Sequence, residues 1–411
     1  MPDPRELLTL EQYRDEVRSL LPGPTAGETV PLEPDLPALL GRVLAEDVRA
    51  RGPVPAFANS AMDGYAVRWA DLAGLPARLR VVGEVPAGSP ADPAIGPGEC
   101  VRIMTGAPVP TAADTVVPVE LTDEGVDVVT IGSAPDRGTG AHVRAAGEDV
   151  AAGDVVAPAG TTLTAAVLGA VAAAGHAEVV VRARPVVAIA STGDELVAPG
   201  GDLGRGQIFE SNGTQLAARA MQLGCVARRG PVVRDDGEAF VTALDALADG
   251  SDLVVLTGGV SVGAYDIARE VLSERAGGTF RHVRMQPGKP QGWARWRGTP
   301  VLALPGNPVS AAISFEVFGR AMIDALLARS PERPWRAVAG TSWRSPGGRR
   351  QLVPVALDTD DQGRLVATPT HRRGSASHMV TSLAGADGLA EVPEDATEVS
   401  AGDLLTIRRV R

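Results

Sequence analysis

Aromatic side chains are scarce in this chain: Phe, Trp and Tyr together make up 3% of its 411 residues. The cores must therefore be filled by Val, Leu, Ile and Ala, within a hydrophobic content of 44%. Cysteine is nearly absent. Cys100 and Cys225 are far apart and match no metal-ligand spacing, which excludes a disulfide framework and fits a reducing cytoplasm. The five histidines are scattered too, so no zinc site is visible. Positive charge is short, with 39 Lys and Arg against 50 Asp and Glu and a net charge of −11. Nucleic acid is thereby excluded as a non-specific partner, because phosphate backbones need a basic footprint. Long apolar runs are missing as well. The longest, AAVLGAVAAA at 165–174, is too short to span a bilayer. The N-terminal MPDPRELLTLEQYRDEV has charges where a signal peptide needs an apolar run. The expectation is a cytoplasmic protein without membrane contact.

Gly and Pro are plentiful, just under a fifth of the chain, below the share of low-complexity sequence and indicative of many turns. The length suggests two to four domains. TLEQYRDEVRSLL (9–21) predicts an amphipathic helix capped by Thr9, with Gln12 completing a capping box. A second helix is expected at 36–45. From about 46 to 160, short Val-rich runs alternate with Gly, Pro and Asp, which reads as short strands. TTLTAAVLGAVAAAG (161–175) is a helix ended by Gly175. From 185 onward apolar strands alternate with amphipathic helices, the pattern of a parallel α/β sheet covered on both faces. The last 80 or so residues lose helical periodicity and predict a small β barrel or sandwich.

In an open parallel sheet, ligands bind at the carboxyl ends of the strands. Five successive ends in the α/β region carry polar or glycine-rich turns: STGDEL, VRDDGE, LTGGVSVGAYD, QPGKP and LPGNPVS. They gather Asp194, Glu195, Asp235, Asp236, Asp266 and Lys289, with backbone exposed at Gly258, Gly259, Gly263, Gly288 and Gly306. Glycines end strands in many turns, and Asp235 or Asp236 could simply cap the helix that follows. GGVSVG is less ordinary. Gly258, Gly259, Ser261 and Gly263 offer a row of N–H groups just before a helix expected at 266–275, a nest for an anion. The loop is neither GxxxxGK[ST] nor GxGxxG. Acidic turns facing a phosphate nest imply a divalent cation, Mg²⁺ by preference, and a metal-assisted reaction at a phosphate or another oxyanion. Lys289 would add a fixed positive charge. Upstream, FANSAMDGYAVR (57–68) and VRIMTGAPVP (101–110) form stiff turns that carry Asp63 and Thr105.

NSAMDGYAVR, RIMTGAPVP, STGDEL, SN at 211–212, GGVSVGAYD, PGKP and LPGNPVSA occur together and in this order from about 55 to 320. On these motifs the chain resembles the MoeA/gephyrin E-domain family, the molybdopterin molybdenumtransferases. The resemblance implies an elongated multidomain subunit: an N-terminal domain (1–50 and 142–183), an inserted mostly β domain (51–141), a central parallel α/β domain of molybdopterin-binding type (184–329) and a C-terminal small β barrel (330–411). It also implies a homodimer whose active site lies between the α/β domain of one subunit and the inserted β domain of the other. The implied reaction is the Mg²⁺-dependent insertion of molybdate into adenylylated molybdopterin with release of AMP. Carried over motif by motif, the catalytic set is Asp63, Thr105, Glu195, Asp235, Asp266 and Lys289, with Glu195, Asp235 and Asp266 on the metal. Gly258, Gly259, Ser261, Gly263, Gly288, Pro305, Gly306, Asn307 and Ser377 would contact the ligand, joined by Arg349 or Arg350 from SPGGRRQL. Many relatives have a lysine where this chain has Gln286, and Arg284 lies on the same face of a strand. The tandem Arg372-Arg373 reads as a solvated pair. Two other functions compete: a binding or scaffold protein of the same family, and the related adenylyltransferase, a single small domain.

Overall fold

The structure, a computed structural model, describes residues 7–260, 266–371 and 377–410. Its centre is a six-stranded sheet with strands β1 (Val186–Ser191), β2 (Val226–Arg229), β3 (Leu253–Thr257), β4 (Thr279–His282), β5 (Pro290–Trp296) and β6 (Thr299–Leu304), in the order β2-β1-β3-β6-β5-β4. Strands β2, β1, β3 and β6 are parallel. Alternate residues serve opposite faces. Val187, Ile189, Val255 and Leu302 pack under α1 (Asn212–Gln222) and α4 (Pro308–Ser314), in one core. Ala188, Ala190, Val254 and Val301 face α2 (Gly237–Ala248) and α3 (Ile267–Ala276), in the other. Burial on both sides is why these strands read as continuous apolar runs.

The sheet is not parallel throughout, as the apolar pattern had predicted. Strand β5 runs antiparallel to both β6 and β4. Arg297 and Gly298 join β5 to β6 with φ of 47° and 93°, the two left-handed residues that a tight hairpin with the right twist demands. The helix expected at 36–45 is also shorter, Leu36–Leu39. Gly41, at φ 77°, turns the chain, and Val43 and Leu44 go on to bridge Thr162 and Val181.

The N-terminal helix, Leu10–Arg18, has the full capping box of Thr9 and Gln12. It buries Tyr13 edge-on against Phe318, ring centroids 4.7 Å apart. Gly27–Pro31 pairs with Glu178–Arg182, so the chain on either side of the intervening β region meets in one ladder. Within that region a five-stranded sheet orders Thr115–Pro118, Gly64–Val67, Glu99–Ile103, Ala77–Val85 and Val128–Ile131. At the C-terminus, Trp335–Ala339, Arg350–Thr359, Leu365–Pro369, Gly388–Val392 and Leu404–Arg409 close into a five-stranded barrel. Met285–Gln286, the segment after β4, leaves the α/β sheet and pairs in parallel with Arg350–Gln351 of that barrel. Among the described residues no helix is long and apolar enough to cross a membrane.

Candidate functional site

Beyond Thr257 the backbone turns left-handed twice, at Gly258 (φ 96°) and Gly259 (φ 65°). A Cβ on Gly258 would stand 2.6 Å from the Thr192 carbonyl oxygen, so only glycine fits there. The Gly258 amide donates to Leu304 O at 3.0 Å, and Arg269 N, in the first turn of α3, donates to Gly259 O at 3.1 Å. A Cβ on Gly306 would lie 3.4 Å from Gly258 Cα, so the TGG and LPGNP loops touch across the strand ends. Gly288 (φ 94°) is held close to Ser314. Ser261, Gly263, Arg372 and Arg373 lie outside the described residues. Ser377 joins the same edge: its carbonyl accepts from Val309 N at 3.0 Å, and its hydroxyl accepts from Asn307 Nδ2 at 3.4 Å.

The two neighbouring aspartates of VRDDGE separate in role. Asp236 Oδ1 accepts from Ala239 N at 2.8 Å and caps α2. Asp235 makes no such cap, and its amide donates to Asp194 Oδ1 at 3.4 Å. Partial loss of solvent raises the Asp235 pKa, and the charges of Asp194, Glu195 and Asp266 raise it further, against the lowering effect of the Asp194 backbone amide. These four carboxylates thus share one electrostatic neighbourhood. Asp266 Oδ2 is buried and has no hydrogen-bond partner among the described residues, and Asp266 does not cap the helix it precedes. A buried anionic oxygen without a donor is costly, and a cation would satisfy it. No group of three or more His, Cys, Asp or Glu side chains is spaced to hold a metal among the described residues. Mg²⁺, which takes one or two carboxylates and fills its octahedron with water and phosphate oxygens, fits this donor set.

The positive charges of Lys289 and Arg269 lie near His282. Val283 N donates to Lys289 O at 2.8 Å, and His282 is paired with Pro290. The Arg269 guanidinium lies 5.3 Å from the Phe280 ring centroid. Burial lowers the His282 pKa, and the positive charges of Lys289 and Arg269 lower it further. The sequence reading passed over Arg269 and His282, since neither sits in a glycine-rich turn. The position of Arg269, three residues after Asp266 on a helix that starts at the nest, was the available signal. Arg284, two residues before Gln286, has its Nε tied to Leu7 O at 3.0 Å. Arg350 is paired with Glu11 of the N-terminal helix and, at 3.9 Å, with Glu394, whereas Arg349 has no ion-pair partner among the described residues.

Asp63 and Thr105 meet each other in the inserted β region. The Thr105 amide and hydroxyl both donate to Asp63 Oδ1 at 2.7 Å. These two bonds, the hydroxyl first, hold the Asp63 pKa below the usual carboxylate value. The turns are clamped at their bases, with Gly106 N donating to Ser60 O at 2.8 Å and Ser60 N to Ala107 O at 3.0 Å. The hydrogen bonds of this pair stay within the β region and do not reach the strand-end crevice.

A mostly parallel α/β sheet with left-handed glycine turns, carboxylates and a lysine at its strand ends defines a class: an α/β fold with a crevice at the carboxyl ends of its strands, where such folds take their ligands. Comparison with known proteins narrows it. Three family models match in register: the MoeA N-terminal region (domain I and II) at residues 8–175, the probable molybdopterin binding domain at 188–325, and the MoeA C-terminal region (domain IV) at 336–408. Molybdopterin molybdenumtransferase 2 of Mycobacterium tuberculosis (strain ATCC 25618 / H37Rv) is 44% identical over 389 residues, 92% of this chain and 94% of that protein. Molybdopterin molybdenumtransferase of Haemophilus influenzae is 32% identical over 410 residues, 98% of each. The crystal structure of the molybdopterin biosynthesis MoeA protein from Pyrococcus horikoshii OT3 superposes with a TM-score of 0.82 at 25% identity, over 98% of this chain and 99% of that one. This chain belongs to the molybdopterin molybdenumtransferase family.

Proposed function

We propose that this protein inserts molybdenum into molybdopterin, using adenylylated molybdopterin, molybdate and Mg²⁺ and releasing AMP, in the cytoplasm and as a homodimer. The observation that carries the reading is the left-handed Gly258–Gly259 turn together with a buried Asp266 carboxylate oxygen that has no donor among the described residues. An anion cradle and an unsatisfied carboxylate belong together when a cation bridges them to a phosphate. The left-handed Gly258–Gly259 turn, its Gly258 amide tied to Leu304 O, lets the backbone approach the phosphates of the adenylylated pterin without a side chain in the way. One or two of Glu195, Asp235 and Asp266 would hold Mg²⁺, with water and phosphate oxygens completing its shell, and the ion when bound would neutralise phosphate charge and polarise the phosphoryl group. Lys289, with Arg269 contributing a second positive charge near His282, attracts the molybdate dianion. Asn307 and Ser377 line the rim of the crevice. An oxygen of molybdate or of water attacks the phosphoanhydride phosphorus, the P–O bond to AMP breaks and AMP leaves. The two dithiolene sulfurs replace oxygen on molybdenum, and that oxygen departs as water with the thiol protons. Asp63 and Thr105, remote from the nest in their own chain's hydrogen bonding, act on the partner's site. The cytoplasmic assignment rests on two buried, unpaired thiols, Cys100 and Cys225.

The decisive assay is AMP release by the purified protein given adenylylated molybdopterin, molybdate and Mg²⁺. Release that needs molybdate and is abolished by Asp266→Ala in a folded variant is the expected result. Full activity in that variant would sink the assignment, and ATP consumption with metal-free molybdopterin would replace it by adenylyl transfer.

A further inference from the structure

Beneath the nest runs a chain of buried polar groups with no part in the roles given above. Glu210 is 2% exposed. Its Oε1 accepts from the Ser191 hydroxyl at 2.8 Å and from Gly213 N at 2.6 Å, and its Oε2 accepts from Arg229 at 2.6 Å. Ser191 Oγ accepts in turn from the Thr257 hydroxyl at 3.0 Å. Asn212, the first residue of α1 and 8% exposed, ends the chain: Nδ2 donates to Gly306 O at 2.8 Å and reaches Thr257 Oγ1 at 3.5 Å. Asn212 Oδ1 is buried and accepts from nothing among the described residues.

That orphaned oxygen settles what orients the amide. Exchanging its oxygen and nitrogen would press Oδ1 against the Gly306 carbonyl, acceptor against acceptor, so the Nδ2 contact fixes the orientation. A buried acceptor left unpaired costs stability, and the cost is borne at the residue that grips the glycine of LPGNP. Gly306 in turn abuts Gly258. The chain therefore ties the ends of β1, β3 and β6 and the start of α1 to both loops of the cradle.

We infer that Asn212 is a positioning residue for the transferase reaction: it fixes the Gly306 loop against the Gly258 nest, and Glu210 locks the polar chain that steadies it. The inference rests on the proposed function for its kinetic consequence but not for its structural one. Two readouts keep them apart. Asn212→Asp keeps the shape and puts a carboxylate oxygen against the Gly306 carbonyl. Hydrogen exchange at the amides of Gly306, Asn307 and Val309 should then quicken, while the amides of Leu253–Thr257 stay protected. In the AMP-release assay kcat should fall roughly 10- to 100-fold, the scale on which misplacement acts, with the molybdate KM unchanged. Thr257→Val, which removes one hydroxyl from the chain, should shift both readouts in the same direction and by less. Wild-type exchange at Gly306 in folded Asn212→Asp overturns the inference. If that variant does not fold, wild-type exchange in Thr257→Val overturns it instead, since the network would then serve stability alone. Should the wild-type protein release no AMP, the functional reading falls while hydrogen exchange still decides this one.

Discussion

Asp235 and Asp236 are adjacent, chemically identical and put to different uses. Asp236 is consumed by the first turn of α2, whereas Asp235 feels the charges of Asp194, Glu195 and Asp266. Its raised pKa has a signed consequence. The folded state holds that proton more tightly than the unfolded chain, so the stability it contributes is present at low pH and lost as pH rises through the raised value. Asp194→Asn removes one repelling charge. The Asp235 carboxyl, followed by NMR titration in metal-free protein, should then titrate at lower pH than in the wild type, and an unchanged titration would show that the acidic side is not coupled. Asp63 has the opposite sign. Its lowered pKa contributes stability above the unfolded value, lost as pH falls through the folded one, and Thr105→Val should raise that pKa. The sequence could identify both aspartates as candidates but could not assign the cap, because either spacing allows one. Nor could it assign Arg350, whose partner Glu11 lies at the far end of the chain.

Elements were legible where their pattern is local. The capping box at Thr9, the glycine after the 165–173 helix and the apolar strands all announce themselves in a few residues. The β5–β6 hairpin was missed because its turn is Arg-Gly rather than Asn-Gly, and because QGWARW alternates too weakly to stand out. Two glycines at the nest now make separable predictions. Gly258→Ala imposes a left-handed φ and a contact with the backbone of Thr192. It should destabilise by at least about 1–2 kcal/mol in denaturant unfolding. Gly306 has no such φ, and its added methyl meets Gly258 only at ordinary contact distance. Gly306→Ala should therefore leave the unfolding midpoint near the wild type and raise the KM for adenylylated molybdopterin, since the methyl occupies cradle space. Equal destabilisation by both would show that the loop contact, rather than ligand approach, dictates glycine at 306.

At the scale of the whole molecule, what sequence patterns could not supply was which distant turns share a site. NSAMDG and RIMTGAP find each other within the β region, and nothing in their spacing points toward the α/β domain. The proposed shared site makes this testable. Asp63→Ala and Asp266→Ala, each inactive alone, should regain activity when unfolded and refolded together at equal amounts. Random pairing gives half hybrids, each with one intact site, so roughly a quarter of wild-type activity is expected. Activity no greater than either parent would place both residues in the same subunit's site.

The short strand Met285–Gln286 binds the barrel to the segment that carries Lys289, three residues on. Two rungs of a ladder resist sliding, so the barrel cannot be displaced along that edge without dragging the PGKP turn or snapping the rungs. The barrel is in this sense a lever whose short arm ends at the lysine. The placement of the barrel and the path of the backbone into PGKP are thus set by the same two rungs.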